Sequence, residues 1–128
     1  MSKPGKLHIK VLKAKLTRNT VTMGQMSTFT RISYNGASYN TVVQVDEGQT
    51  PEFNQGFIIP INDVSNQLVI EVYHKDSSNS DELVGGTQIK TIYDYIGPKN
   101  GMSEDFDLFY KSENVGRVYL TTGFKEEE

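Results

Sequence analysis

The residues best equipped for chemistry stand in HKDSSNSDELVGG, residues 74–86. Asp76, Asp81 and Glu82 place carboxylates in a short polar run that follows an apolar segment. Clustered hard oxygens of this kind suit calcium, which takes six to eight oxygen ligands. His74 stands at the mouth of the run, where a calcium loop wants another acid, and imidazole is a poor ligand for a hard ion. Zinc could use His74 with Asp76 and Glu82, but one histidine and two acids without a defined spacing make a weak donor set. An EF-hand is excluded, because DSSNSDELVGGT lacks the glycine at loop position 6 and the acid at position 12. The plain alternative is a solvated turn. The chain has no cysteine nucleophile, no Gly-x-Ser-x-Gly, no P-loop and no Gly-x-Gly-x-x-Gly, so an enzyme is not expected.

Composition narrows the setting. With 128 residues, 36% apolar and 10% aromatic, the chain suits one globular domain with its own core. It has no cysteine, so neither disulfides nor thiolate metal sites are expected, and a reducing interior fits. MSKPGKLHIK passes from a polar stub straight into alternation, without a signal-like apolar run. No segment approaches the about 18 apolar residues that span a bilayer. The expectation is a soluble, cytoplasmic protein. Its net charge of −3 gives no bulk attraction to nucleic acid.

The elements that must position these residues repeat with a period of two. Leu7, Ile9 and Val11 alternate with polar residues; the parity then slips, and Leu12, Ala14 and Leu16 alternate with Lys13 and Lys15. Strict alternation marks a half-buried strand, and a one-residue slip marks a bulge. Further strands are expected at 29–34, 39–45, 57–61, 68–73, 83–92, 106–110 and 115–124, with Asn35-Gly36 as a hairpin turn and one helical turn at 93–96. Eight short strands with turn signals every 8–12 residues predict an all-β, eight-stranded antiparallel β-sandwich filling residues 5–124, with an acidic tail at 125–128.

Four fragments resemble one family. GKLHIKVLKAKL is similar to the opening strand of a C2 domain. TPEFNQGFIIPI resembles the family signature Asn-Pro-x-Trp/Phe-Asn-x-x-Phe, with Thr50 in place of Asn and with Pro51, Phe53, Asn54 and Phe57 matching. QLVIEVYHKDSSNSDELVGG resembles its strand–loop–strand carrying metal-binding acids, and residues 115–124 resemble its closing strand. Because the chain opens on the strand at 7–16, the resemblance implies the permuted (type II) topology. It also implies that calcium, if bound, would need five acidic positions in two loops. In the first loop, aligned on Gly24 and Phe29, Val21 and Ser27 stand at acidic positions; in the third, His74 replaces the first acid, while Asp76, Glu82 and the adjacent Asp81 remain. Too few carboxylates are left for calcium, so no cofactor is expected.

The resemblance leaves two modes of docking. Val21, Met23 and Met26 occupy the first loop, where the family inserts apolar residues into membranes or meets partners. Lys6, Lys10, Lys13 and Lys15, with Arg18 after them, form a basic patch; the parity slip puts Lys6 and Lys10 on one side of the strand and Lys13 and Lys15 on the other. The hairpin strands with which many C2 domains read anionic lipid carry only Arg31. The expected function is therefore a calcium-independent, monomeric protein-interaction or scaffold domain; the alternative is a peripheral phospholipid-binding domain, with calcium-dependent lipid binding third. Membrane periphery or a cytoskeletal or ciliary assembly is the implied place of work.

Overall fold

The computed structural model describes residues 5–21, 24–62, 67–76, 78, 80–89 and 103–126. Among them are eight antiparallel strands: β1 (Gly5–Leu16), β2 (Thr28–Tyr34), β3 (Ala37–Asn40), β4 (Glu52–Ile61), β5 (Leu68–Lys75), β6 (Asp81–Ile89), β7 (Ser103–Tyr110) and β8 (Glu113–Glu126). Their order is β3-β2-β5-β6-β7-β8-β1-β4. Among the described residues, the two four-stranded halves join at one rung, Gly86 opposite Phe109. Each half turns one face inward. Leu7 and Ile9 of β1, Ile32 of β2, Ile59 of β4, Leu68 and Ile70 of β5 and Leu108 of β7 are buried in a common core. This is the expected sandwich, and alternation explains it: one side chain in two must leave water, the next must not.

The parity slip in β1 is a bulge. Val11 keeps register with both neighbouring strands, Lys13 resumes it, and Leu12 has no rung on either side. The consequence differs from the sequence expectation. The extra residue absorbs the slip, so Ala14 and Leu16 point into the same core as Leu7, Ile9 and Val11. Lys6, Lys10, Lys13 and Lys15 are all exposed, on one outer face rather than two.

Strand boundaries also move: β4 begins at Glu52 rather than 57, β6 at Asp81 rather than 83, and β7 at Ser103 rather than 106. The strand expected at 39–45 ends at Asn40, and only an isolated bridge between Thr28 and Gln44 follows. β8 continues to Glu126, so Lys125, expected in the tail, lies directly opposite Lys6. The helical turn expected at 93–96 lies outside the described residues.

Candidate functional site

Three connections meet at one end of the sandwich, after β1, after β3 and after β5. The first is fastened to the second through the backbone: the Gln44 N–H donates to the Thr28 carbonyl at 2.8 Å, and the Gly48 N–H donates to the Met26 carbonyl at 2.9 Å. Ser27 knots all three together. Its Oγ accepts from the Asp46 N–H at 3.1 Å, its N–H donates to His74 Nδ1 at 3.0 Å, and its carbonyl accepts from the Lys75 N–H at 2.9 Å. His74 is 6% exposed. The same Nδ1 lies 3.2 Å from the Ser27 carbonyl, so both backbone groups of Ser27 flank this ring nitrogen. The histidine met in the sequence as a misplaced ligand thus acts as a buried strut between the first and third loops.

The remaining acids have partners within the chain. Asp76 Oδ1 accepts from the Ser78 hydroxyl at 2.6 Å, the Ser78 N–H at 2.9 Å and the Ser80 N–H at 3.0 Å, folding the loop around itself. These bonds, led by that of the Ser78 side chain, lower the Asp76 pKa below its ordinary value. Asp81 lies 3.1 Å from Lys75 Nζ and 3.4 Å from the Arg31 guanidinium. Glu82 is 3.8 Å from Arg18. Arg18 also donates to the Leu83 carbonyl at 2.7 Å and lies 3.7 Å over the centre of the Tyr110 ring. The structure brings Asp76, Asp81, Glu82 and His74 to one end of the sandwich, but among the described residues no three metal-ligating side chains converge on a point.

The apolar loop residues divide. Met26 is 1% exposed and belongs to the core, which corrects its expected role as a docking residue. The resemblance places it beside insertion positions, but the backbone bond from Gly48 holds its strand-like segment down and its side chain fills the sandwich rim. Val21 is half-buried against the same core, and Met23 lies outside the described residues. The exposed apolar residues at this end are instead Val42 (65%) and Val45 (70%), in the connection after β3. Reading 39–45 as one strand hid Val45, which alternation puts on the same side as Tyr39 and Thr41.

Around Arg31 the outer face of β2 and β5 is closed rather than open. Phe29 stacks on Tyr73 with centroids 5.6 Å apart, and the Arg31 guanidinium lies 4.6 Å over Tyr73 while its Nε donates to Asn40 at 2.9 Å. Burial pushes the Tyr73 phenol above its usual pKa, and the neighbouring Glu71 adds to this. The lone cation of the hairpin strands is therefore committed to neighbours.

Comparisons with known proteins agree with this geometry. A sequence profile of the C2 domain matches residues 5–108. No curated protein sequence matches the chain significantly. Among solved structures, a C2 domain of plant Extended Synaptotagmin 1, the one lettered A, superposes with a TM-score of 0.83 at 19% identity, covering 100% of this chain and 99% of that one. The paired C2 domains, A and B, of Extended-Synaptotagmin 2 give 0.79 at 18% identity, covering 97% of this chain and 42% of the other. Human GIVD cytosolic phospholipase A2 gives 0.79 at 18% identity, with 99% of this chain covering 17% of the enzyme. At such identities these likenesses speak for the fold.

Proposed function

Because this chain belongs to the C2 domain family, whose members bind membranes or proteins, we propose that it is a calcium-independent docking module that binds a protein partner. One observation carries the reading: the acids left in the loops are held by the chain's own groups. Arg18 sits at Glu82, Lys75 and Arg31 at Asp81, and Ser78 and Ser80 at Asp76. Calcium in such loops neutralises carboxylates and ties the first loop to the third. Here Arg18 and the Ser27–His74 bond already make that tie. Val21, Ser27 and His74 add no anionic oxygen. Among the described residues, no helix is long and apolar enough to cross a membrane. The domain recognises rather than catalyses.

A second reading has its own support. Val42 and Val45 form an exposed apolar tip beside the first loop, which suits shallow insertion into a lipid surface. Co-sedimentation with phosphatidylserine-containing vesicles at physiological ionic strength, with and without calcium, separates the possibilities. The protein-docking reading expects the chain to stay in the supernatant in both arms. Pelleting in both arms favours the membrane reading, and pelleting only with calcium overturns calcium independence.

A further inference from the structure

We propose that the outer face of β4, β1 and β8 is a docking surface for an extended acidic protein segment carrying one apolar side chain. This rests on the protein-docking reading above and names the surface and the chemistry of the partner. The chain as a whole carries a net charge of −3. Yet this face presents Lys6, Lys10, Lys13 and Lys15 in one row along β1, with Lys125 and Arg117 on β8 beside them. None of the four β1 lysines has an ion-pair partner among the described residues. Lys13 and Lys15 rest over Tyr119, at 5.4 and 5.9 Å from the ring centre. Among the described residues, the acids bordering the face are Glu52 on β4, directly opposite Lys13, and Asp105 and Asp107 on β7, and both aspartates are bound to Arg117.

One rung sets like charges directly opposite each other, Lys6 facing Lys125; at another, Lys15 faces Arg117, whose charge Asp105 and Asp107 already meet. The Lys6–Lys125 pair destabilises the sheet, and folding alone gives no reason for it. A bound anion converts that repulsion into attraction, because it meets both cations of a rung at once.

The row also has a feature at its centre. His8 lies between Ile58 and Gly123, and Lys10 lies between Gly56 and Thr121. With no side chain at either glycine, a shallow depression opens beside Ile58, which is 56% exposed. Cations in line on both sides of an apolar hollow match a linear acidic segment with a single apolar anchor.

The test uses a fluorescein-labelled peptide of alternating Glu and Ser with one central Leu, and the same peptide with Ser at the centre. Anisotropy measures affinity, and amide shifts of the full chain map contacts. The proposal expects shifts confined to β1, β4 and β8, affinity that falls with added salt, and tighter binding of the Leu peptide. Lys6→Glu with Lys10→Glu should weaken binding roughly tenfold or more, while Lys111→Glu at the β7–β8 turn should not. Lys6→Gln with Lys10→Gln gives a milder second variant, and both pairs relieve repulsion, so both should keep a dispersed amide spectrum. At Gly56 an added Cβ would meet its neighbours at 3.7 Å or more, an ordinary contact. Gly56→Val should therefore fill the hollow and abolish the advantage of Leu over Ser. No binding, equal binding by the charge-reversed chain, or an undiminished Leu preference in Gly56→Val overturns the proposal. So does displacement of the peptide from this face by anionic vesicles. Calcium added to the same samples keeps the two claims apart: shifts at 24–27 and 74–82 sink calcium independence whatever the peptide does, whereas a silent peptide with silent loops sinks only the docking face.

Discussion

Arg18 shows how much one side chain can join. It reaches from the end of β1 to Glu82, to the Leu83 carbonyl and to the face of Tyr110. A cation–aromatic contact and a charged hydrogen bond, both partly buried, support a loss of about 1–2 kcal/mol in Arg18→Ala. For a chain of this size that lowers Tm by roughly 3–6 °C, which thermal unfolding would read. Arg18→Lys should recover little, since an ammonium cannot both lie flat on the ring and fork to two acceptors. Asp76 makes a prediction in pH. Its pKa is lowered in the folded chain, so its contribution is present above the unfolded carboxylate pKa and is lost as pH falls through the folded value. Asp76→Ala should therefore remove part of the acid-side decline in stability below about pH 4 and leave the neutral-to-alkaline profile parallel to the parent. These roles were only half legible in the sequence. The spacing of Asp76 to Ser78 and Ser80 is local, whereas Arg18 bonds to a residue 65 positions away, and no periodicity announces that.

At the scale of the element, β1 is the instructive case. Its alternation, and the slip at Val11–Leu12, were readable because burial imposes a period of two on any half-buried strand. What the slip does to the far half was not. A parity change either turns the strand over or is absorbed by an unpaired residue, and only the ladders to β4 and β8 decide between them. Leu12 is that unpaired residue. Its deletion should restore unbroken alternation, with Val11, Ala14 and Leu16 inward and Lys13 and Lys15 outward. No ammonium group is driven into the core, so the shortened chain should keep a cooperative unfolding transition and a dispersed amide spectrum. A shortened chain that fails to fold would show that Leu12 does more than absorb the slip. The strand misjudged at 39–45 fails for a related reason: the run is apolar and alternating, but Thr41 turns inward to accept from the Thr30 N–H at 2.9 Å, and the ladder ends before it.

For the whole molecule, the sandwich makes two surfaces with opposite characters. The loop end gathers acids and answers them with arginine, lysine and serine; the β4-β1-β8 face gathers lysines along β1 that, among the described residues, form no ion pair, and only Lys13 has an acid, Glu52, opposite it. The fold was legible from alternation and from the family fragments because both follow from the core, and residues 5–108 bear the match. The loop end was legible in the sequence only as acids expected by the resemblance and absent; the internal cations that stand against the remaining acids appear once β1, β2, β5 and β6 come together at one end. The central claim is that the loops need no calcium to hold their shape. A calcium titration of the full chain followed by amide chemical shifts tests it most directly. The account predicts that the resonances of residues 24–27 and 74–82 stay in place as calcium rises through the micromolar range in which sensor sites fill. Saturable shifts at those residues in that range would contradict it.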